Sequence, residues 1–285
     1  MYISREDKAG VPALIKCKTG ISDRDASIFL FVKKIRISSV SYLNSLPFVY
    51  GLEHTAIQEQ IELSKDIPSE CANKLITDEV DIGLVPVAVL PQLPYYQLIG
   101  NYCIGAYRSV RTVVLVGNVP VNQMQRIIQD NHSRTSVALA RVLAQHHWHI
   151  SPHWEQGAKW FEKRINGNNE GGVVIGDKVF PIEGQYPYQY DLAEEWYQMT
   201  GMPFVFAAWV ANKPIEPKFE QALNQAFKWG IDHIPEMLAS KPELTNISAD
   251  LTEYLTHNIQ FDLDVQKREA LSTFLNYIQT TNPQP

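Results

Sequence analysis

Residues 35–48, IRISSVSYLNSLPF, alternate apolar and polar positions and then break into a polar turn that carries Ser41, Asn44 and Ser45. Alternation with a period of two marks a half-buried strand. A polar turn at the carboxyl end of a first strand is where open α/β sheets take their ligands. The rhythm continues along the chain. SYLNSLPFVYGLEH reads as a turn entering a helix, and IQEQIELSKD as the second strand region. PSECANKLITDEV reads as a short helix introduced by Pro68 and Ser69, and DIGLVPV as a strand with its terminal loop. RTVVLVG is β-rich. HSRTSVALARVLAQHHW predicts a helix beginning close to Ser133, followed by HISPHW and the strand GGVVIGD.

This alternation predicts an α/β chain in two lobes. Residues 33–118 form the first part of one lobe, 119–204 an inserted second lobe, and 205–285 the return to the first lobe with the C-terminal helices. MPFVFAAWV brings the chain back, and EPKFEQALNQAFKWGIDHIPEML and VQKREALSTFLNYIQ supply the helices. Two crossings between lobes create a hinge and a cleft. Residues 1–32 show little patterned relation to the strand that begins near Lys34. They read as an N-terminal extension or a mis-assigned start, with initiation near Val32, and their deletion is expected to leave activity intact.

Composition narrows the function classes. At 285 residues the chain is long enough for two compact units. Its formal charge of -6 gives no support to nucleic-acid binding, which asks for a basic stripe. No apolar run approaches membrane-spanning length, and the short run SIFLFV (27–32) lacks the continuous core of an export signal. The expected location is the cytoplasm. Cys17, Cys71 and Cys103 are odd in number and lack a CxxC spacing, which speaks against a disulfide scaffold or a thiolate metal cluster. His146, His147, His149 and His153 are clustered in sequence, but a helix end between them sends their side chains apart, so no metal is expected. Dinucleotide, Walker and GxSxG motifs are missing from the sequence, and no cofactor is expected.

The candidate chemistry is therefore that of a small-molecule pocket. Asn44 can donate and accept without bringing a charge, with Ser41 and Ser45 completing a polar rim; the alternative is that all three only stabilise the turn. In SRTS (133–136) Ser133 can cap a helix while Thr135 and Ser136 receive a carboxylate, with Arg134 pointing inward or to solvent. Ser109, in RSVRT, can hold a second ligand oxygen, with Arg108 and Arg111 as candidate charge partners. Asp81 and Asp177 sit beside Gly83 and Gly176 at strand ends, where positioning a ligand hydroxyl and structural capping compete. Two separated polar clusters suit a ligand with two acidic groups.

The ordered set SVSYLNSLPF, DIGLVPVAVL, the SV of RSVRT, DNHSRTS, VVIGD and DLAEEWYQMTGMPFVFAAW resembles the menaquinone-biosynthesis family of the futalosine route, in its chorismate dehydratase branch. The resemblance runs over about residues 34–278. It implies the two-lobed fold of type II periplasmic binding proteins, used by a cytoplasmic enzyme. It further implies conversion of chorismate to 3-[(1-carboxyvinyl)oxy]benzoate and water. Asn44 matches the family's asparagine in the first-strand loop and is the expected catalytic residue. Ser109 and Ser133, Arg134, Thr135 and Ser136 match ligand-contact regions, and Gly176 and Asp177 are weaker pocket positions. The alternatives are an enzyme acting on a later futalosine-derived substrate and a noncatalytic binding protein for a small carboxylate.

Overall fold

The protein is described here by a computed structural model, which covers residues 34–281 except 132, 166 and 248. The expected extension, residues 1–32, lies outside the described residues, and so does Cys17.

The first lobe opens with β1 (Ile35–Val40), α1 (Leu46–His54), β2 (Ile61–Asp66), α2 (Pro68–Ile76), β3 (Ile82–Pro86) and β4 (Gln97–Ala106). The second sheet is built from β5 (Val113–Gly117), β6 (Arg126–Gln129), β7 (His153–Gln156), β8 (Glu170–Ile175) and β9 (Tyr188–Asp191). It carries the helices α3 (Thr135–His146) and α4 (Leu192–Thr200). The chain then returns through β10 (Phe204–Ala211), α5 (Pro217–Asp232), α6 (Ile234–Ala239), α7 (Leu251–Glu253), β11 (Gln260–Asp262) and α8 (Val265–Thr281).

The first sheet runs β11-β4-β10-β3-β1-β2. β1 pairs in parallel with both β2 and β3, so α1 carries the chain to one side of β1 and α2 returns it past β1 to the other. That divergence opens a crevice at the carboxyl ends of β1 and β3, the usual ligand position in such sheets. β10 lies antiparallel between β3 and β4. The second sheet runs β7-β6-β8-β5-β9.

RTVVLVG carries a strand, as its pattern predicts, but β5 sits between β8 and β9 of the second sheet. The outward crossing thus runs through residues 107–112, ahead of the expected break after 118. Its valines are buried on both faces, and a continuous apolar run of this kind does not say which sheet will take it. The C-terminal helix is not confined to the first lobe either. The rings of Phe274 and Tyr277 on α8 meet Trp196 of α4, each at 5.8 Å, and Tyr277 also meets His146 of α3.

Two contacts fix the frame around the crevice. Trp209 on β10 stacks on Phe227 of α5 at 4.5 Å, with Phe48 of α1 edge-on to both. Glycines let α1 and α5 touch backbone to backbone. A Cβ on Gly51 would fall 1.9 Å from the Ala226 carbonyl oxygen, and one on Gly230 1.9 Å from that of Pro47. This close approach holds α1, and with it the Asn44 turn at its N-terminal end, against the sheet.

Candidate functional site

A cavity lies between the two sheets, with about 570 Å³ of atom-free space that is partly continuous with solvent. Its first-lobe wall is made by Val40 and Pro86 at the strand ends, by Tyr42 and Asn44 from the turn after β1, and by Phe206 of β10. The second-lobe wall comes from Thr112, Ile175, Gly176 and the start of α3 with Ser133, Thr135 and Ser136. Among the described residues no charged side chain lines it. The cavity therefore offers neutral donors and the N-terminal end of α3 to an anionic ligand, and apolar walls to the rest of it.

The structure divides the sequence-predicted residues. Asn44, Ser133, Thr135, Ser136 and Gly176 line the cavity. The Ser133 hydroxyl oxygen accepts from the Ser136 N–H at 3.1 Å, which makes it a helix cap, and Thr135 Oγ1 accepts from the Ala88 N–H at 3.2 Å across the cleft. In both cases the oxygen is engaged and the hydroxyl proton is left to donate. Gly176 has φ +65°, and a Cβ there would press on the Tyr42 ring at 3.2 Å, so its bare backbone lets the second lobe close on the first-strand turn.

Other predicted residues have different employment. The buried Ser45 hydroxyl donates to the carbonyls of Val40 and Tyr42, which ties the turn to the end of β1, and it stays off the cavity wall. Ser41 is exposed and does not line the cavity. The Ser109 hydroxyl donates to Asp191 Oδ2 at 2.7 Å. Asp191 also accepts from the backbone of Arg111, Ala193 and Glu194, so Ser109 helps anchor the N-cap of α4 in place of reaching the ligand space. Arg134 points out of the cavity and donates to Asn73 of α2 at 2.7 Å and to Gln92 at 3.3 Å, both in the first lobe. Arg108 pairs with Glu194 and Arg111 with Glu183, which takes both cations away from a ligand role.

Asp177 sits one residue beyond the cavity wall. Its Oδ1 accepts from the Leu43 N–H at 3.3 Å, a second bond across the cleft, made to the residue before Asn44. Burial pushes its carboxyl up to about 6, with the Leu43 bond opposing only part of the effect. Asp81 has a structural role. Burial raises its pKa, but hydrogen bonds from Arg36 at 2.7–3.2 Å and a pairing with Lys213 at 2.8 Å override it and hold the carboxyl well below the usual range. It precedes β3, at the end of the sheet away from the cavity.

Sequence reasoning passed over Thr112 and Tyr254. Thr112 Oγ1 and the Tyr254 hydroxyl lie 2.8 Å apart, both buried, and Thr112 lines the cavity with Asn44. A threonine before an apolar strand and a tyrosine near the C-terminus, separated by 142 positions, carry no local signal that they meet. The histidines separate: His146 bonds Thr281, His147 bonds Glu195, and His149 bonds the Gln145 carbonyl. Among the described residues no group of three or more His, Cys, Asp or Glu is placed to hold a metal ion.

Two α/β sheets joined by two crossings, with a small-ligand cavity between them, define the periplasmic-binding-protein-like class of folds. A structural-genomics protein from Archaeoglobus fulgidus has this fold with a TM-score of 0.68 at 11% identity, covering 87% of this chain and 97% of that one. The periplasmic aliphatic sulphonate binding protein of Escherichia coli has it with a TM-score of 0.60 at 14% identity, covering 88% and 89%. Within that class, the menaquinone-biosynthesis family pattern matches residues 35–280, and the chain belongs to that family. A chorismate dehydratase of Thermus thermophilus is 24% identical over 259 residues, spanning 82% of this chain and 91% of the relative. One from Campylobacter jejuni is 24% identical over 251 residues, spanning 85% and 97%. No helix among the described residues is long and apolar enough to cross a membrane.

Proposed function

We propose that this protein is a chorismate dehydratase, converting chorismate to 3-[(1-carboxyvinyl)oxy]benzoate and water in futalosine-dependent menaquinone biosynthesis. The observation that carries this reading is the cavity itself, which sets Asn44 from one lobe opposite the hydroxyl-bearing N-terminal end of α3 from the other. Family membership and the similarity to two chorismate dehydratases support it. Chorismate is a small dianion with one ring hydroxyl, and the cavity's donors are neutral and sit on both sides.

The reaction breaks one ring C–H and the neighbouring C–O bond and forms the last double bond of the arene. Electrons balance without an oxidant. In this reading Ser133, Thr135 and Ser136 receive a carboxylate through their hydroxyls and the free N–H groups of α3, while Asn44 orients the ring hydroxyl. The enolpyruvyl carboxylate of the substrate, held over the ring by the closed cavity, takes the ring proton and returns it to the departing hydroxide, which leaves as water. Positioning of this kind supplies much of catalysis by removing the cost of organising the reacting groups in solution. The walls of Val40, Pro86, Ile175 and Phe206 exclude water from the developing charge. A cytoplasmic place of action belongs to the same reading.

The direct test is incubation of metal-free purified protein with chorismate, followed by liquid chromatography with mass detection. Loss of one water to give the carboxyvinyloxybenzoate is the expected result. Binding without turnover by folded protein would replace this reading with that of a carboxylate-capture protein.

A further inference from the structure

A separate pocket opens on the second lobe, where the loop between β7 and β8 meets the segments around Asp130 and Lys178, with about 820 Å³ of atom-free space partly continuous with solvent. It shares no lining residue with the cavity between the sheets. Glu162, in its wall, is 2% exposed, and its Oε2 is buried with no hydrogen-bond partner among the described residues. Buried carboxylates are normally paired or hydrogen-bonded, so an unmatched one asks for a donor that this chain does not supply. Trp160, two positions earlier, is held at φ +66°, where bulky side chains rarely sit, and its indole remains 51% exposed. Backbone held in a sparsely populated region and a large ring left in solvent are both features of ligand sites.

The other groups in the wall define what fits. Lys178 Nζ pairs with Asp130 Oδ2 at 2.7 Å, and the Asn131 amide donates to the Gly157 carbonyl at 2.6 Å. The Lys159 ammonium stands 5.5 Å from the Trp160 ring centroid and has no acid partner among the described residues. One unmatched anion and one unmatched cation thus share the pocket with an exposed indole and apolar surface from Ala158 and Phe161. A simple amine would leave Lys159 unmatched and would be repelled by it and by Lys163, whose ammonium lies 5.1 Å from the same ring. A simple carboxylate would face Glu162. We propose that this pocket is a binding site for an aromatic α-amino acid. The ligand's ammonium donates to Glu162, its carboxylate accepts from Lys159, and its ring packs on Trp160. The site abuts the substrate cavity. Asn131 precedes the cavity residue Ser133 by two positions, Lys178 follows Gly176 by two, and the Lys178–Asp130 pair joins the two segments.

The test uses the full chain and no chorismate, so its result is independent of the dehydratase reading. The indole N–H resonances of the 6 tryptophans are followed by NMR in isotope-labelled protein. That of Trp160 is assigned by its disappearance in Trp160→Asn, since asparagine tolerates the left-handed backbone. L-Phenylalanine and L-tryptophan are titrated in turn. At least one is expected to shift the Trp160 resonance with half-saturation at about 0.1–1 mM, the affinity open to a ligand of about 12–15 non-hydrogen atoms. Glu162→Gln keeps the shape of the side chain and removes its charge, and is expected to weaken binding by at least about 10-fold. Phenethylamine and phenylacetate, which each lack one of the two charges, are expected to bind at least about 10-fold more weakly than phenylalanine. A Trp160 resonance unmoved by both amino acids at about 10 mM overturns the proposal. Unchanged affinity in E162Q, or phenethylamine binding as tightly as phenylalanine, overturns it as well. If E162Q fails to fold, Lys159→Met, at an exposed position, is read on the same resonance with the same two outcomes.

Discussion

Asn44 follows Leu43, whose N–H donates to Asp177 across the cleft, and Asn44 and Asp177 are expected to respond oppositely to substitution. Asn44 lines the cavity and packs little of the core, so Asn44→Ala is expected to lower kcat on chorismate by about 10²- to 10³-fold, as loss of one preorganised hydrogen-bonding group does. Its melting temperature should stay within about 2–4 °C of wild type, a change of about 1 kcal/mol for a chain of this size. Asp177 carries a desolvated carboxyl whose proton is held up to about 6, against an ordinary value of 3.8. Between those two values the folded state binds more protons than the unfolded chain, so this group's contribution to stability is greatest below pH 4 and falls as pH rises through 6. Asp177→Asn should flatten that part of the stability–pH curve and raise the melting temperature at pH 7 by a few degrees. Thermal melts of both proteins between pH 4 and 8 check it. The same change in melting temperature between pH 4 and 6 in wild type and D177N would show that Asp177 does not contribute to the pH dependence. At this scale the sequence is only partly readable. That Asn44, Ser133, Thr135 and Ser136 line a cavity is legible because a polar turn after a strand and a capped helix start are local patterns. The employment of Ser109, Ser45 and Arg134 is not, because each is decided by a partner elsewhere: Asp191, the end of β1, and Asn73.

Among the elements, the α1–α5 contact controls where the Asn44 turn sits. Gly51 and Gly230 face each other's helix with no space for a side chain, since each added Cβ would lie 1.9 Å from a backbone oxygen. Alanine improves intrinsic helix propensity by up to about 1 kcal/mol at such positions. Here that gain is outweighed, because separating two packed helices disturbs the Phe48–Trp209–Phe227 stack beneath them. Gly230→Ala is expected to destabilise the fold by about 3 kcal/mol or more, as overpacking at a rigid contact does. Chemical denaturation of G230A against a surface helix control such as Gln221→Ala measures the difference. Comparable midpoints would mean that the helices separate without cost. The helices and strands themselves were largely legible from periodicity and turn signals. What periodicity did not reveal was membership. β5 reads as a strand in either lobe, and only its pairing with β8 and β9 puts it in the second sheet.

For the molecule as a whole, the arrangement of the two lobes is a closed one. Among the described residues, hydrogen bonds that cross the cleft around the cavity include Leu43 N–H to Asp177, Ala88 N–H to Thr135, and the Arg134 guanidinium to Asn73 and Gln92. The first two involve cavity residues or their neighbours, and Arg134, half-buried between the cavity residues Ser133 and Thr135, makes its two bonds at exposed positions outside the cavity. That makes it a handle on closure separate from the chemistry. Two exposed hydrogen bonds from a charged donor are worth about 1–2 kcal/mol together, which shifts an open–closed equilibrium about 5- to 30-fold. If the closed form holds the ligand, weakening it lowers apparent affinity by the loss of the competent fraction and leaves the chemistry of the closed complex intact. Arg134→Ala is therefore expected to raise KM for chorismate by about 5- to 30-fold with kcat changed less than about threefold. Ligand-free R134A should also show a larger radius of gyration in small-angle scattering, converging with wild type on adding saturating chorismate. A lower kcat with unchanged KM and dimensions would instead place the guanidinium in the chemistry, against the contacts it makes in the structure.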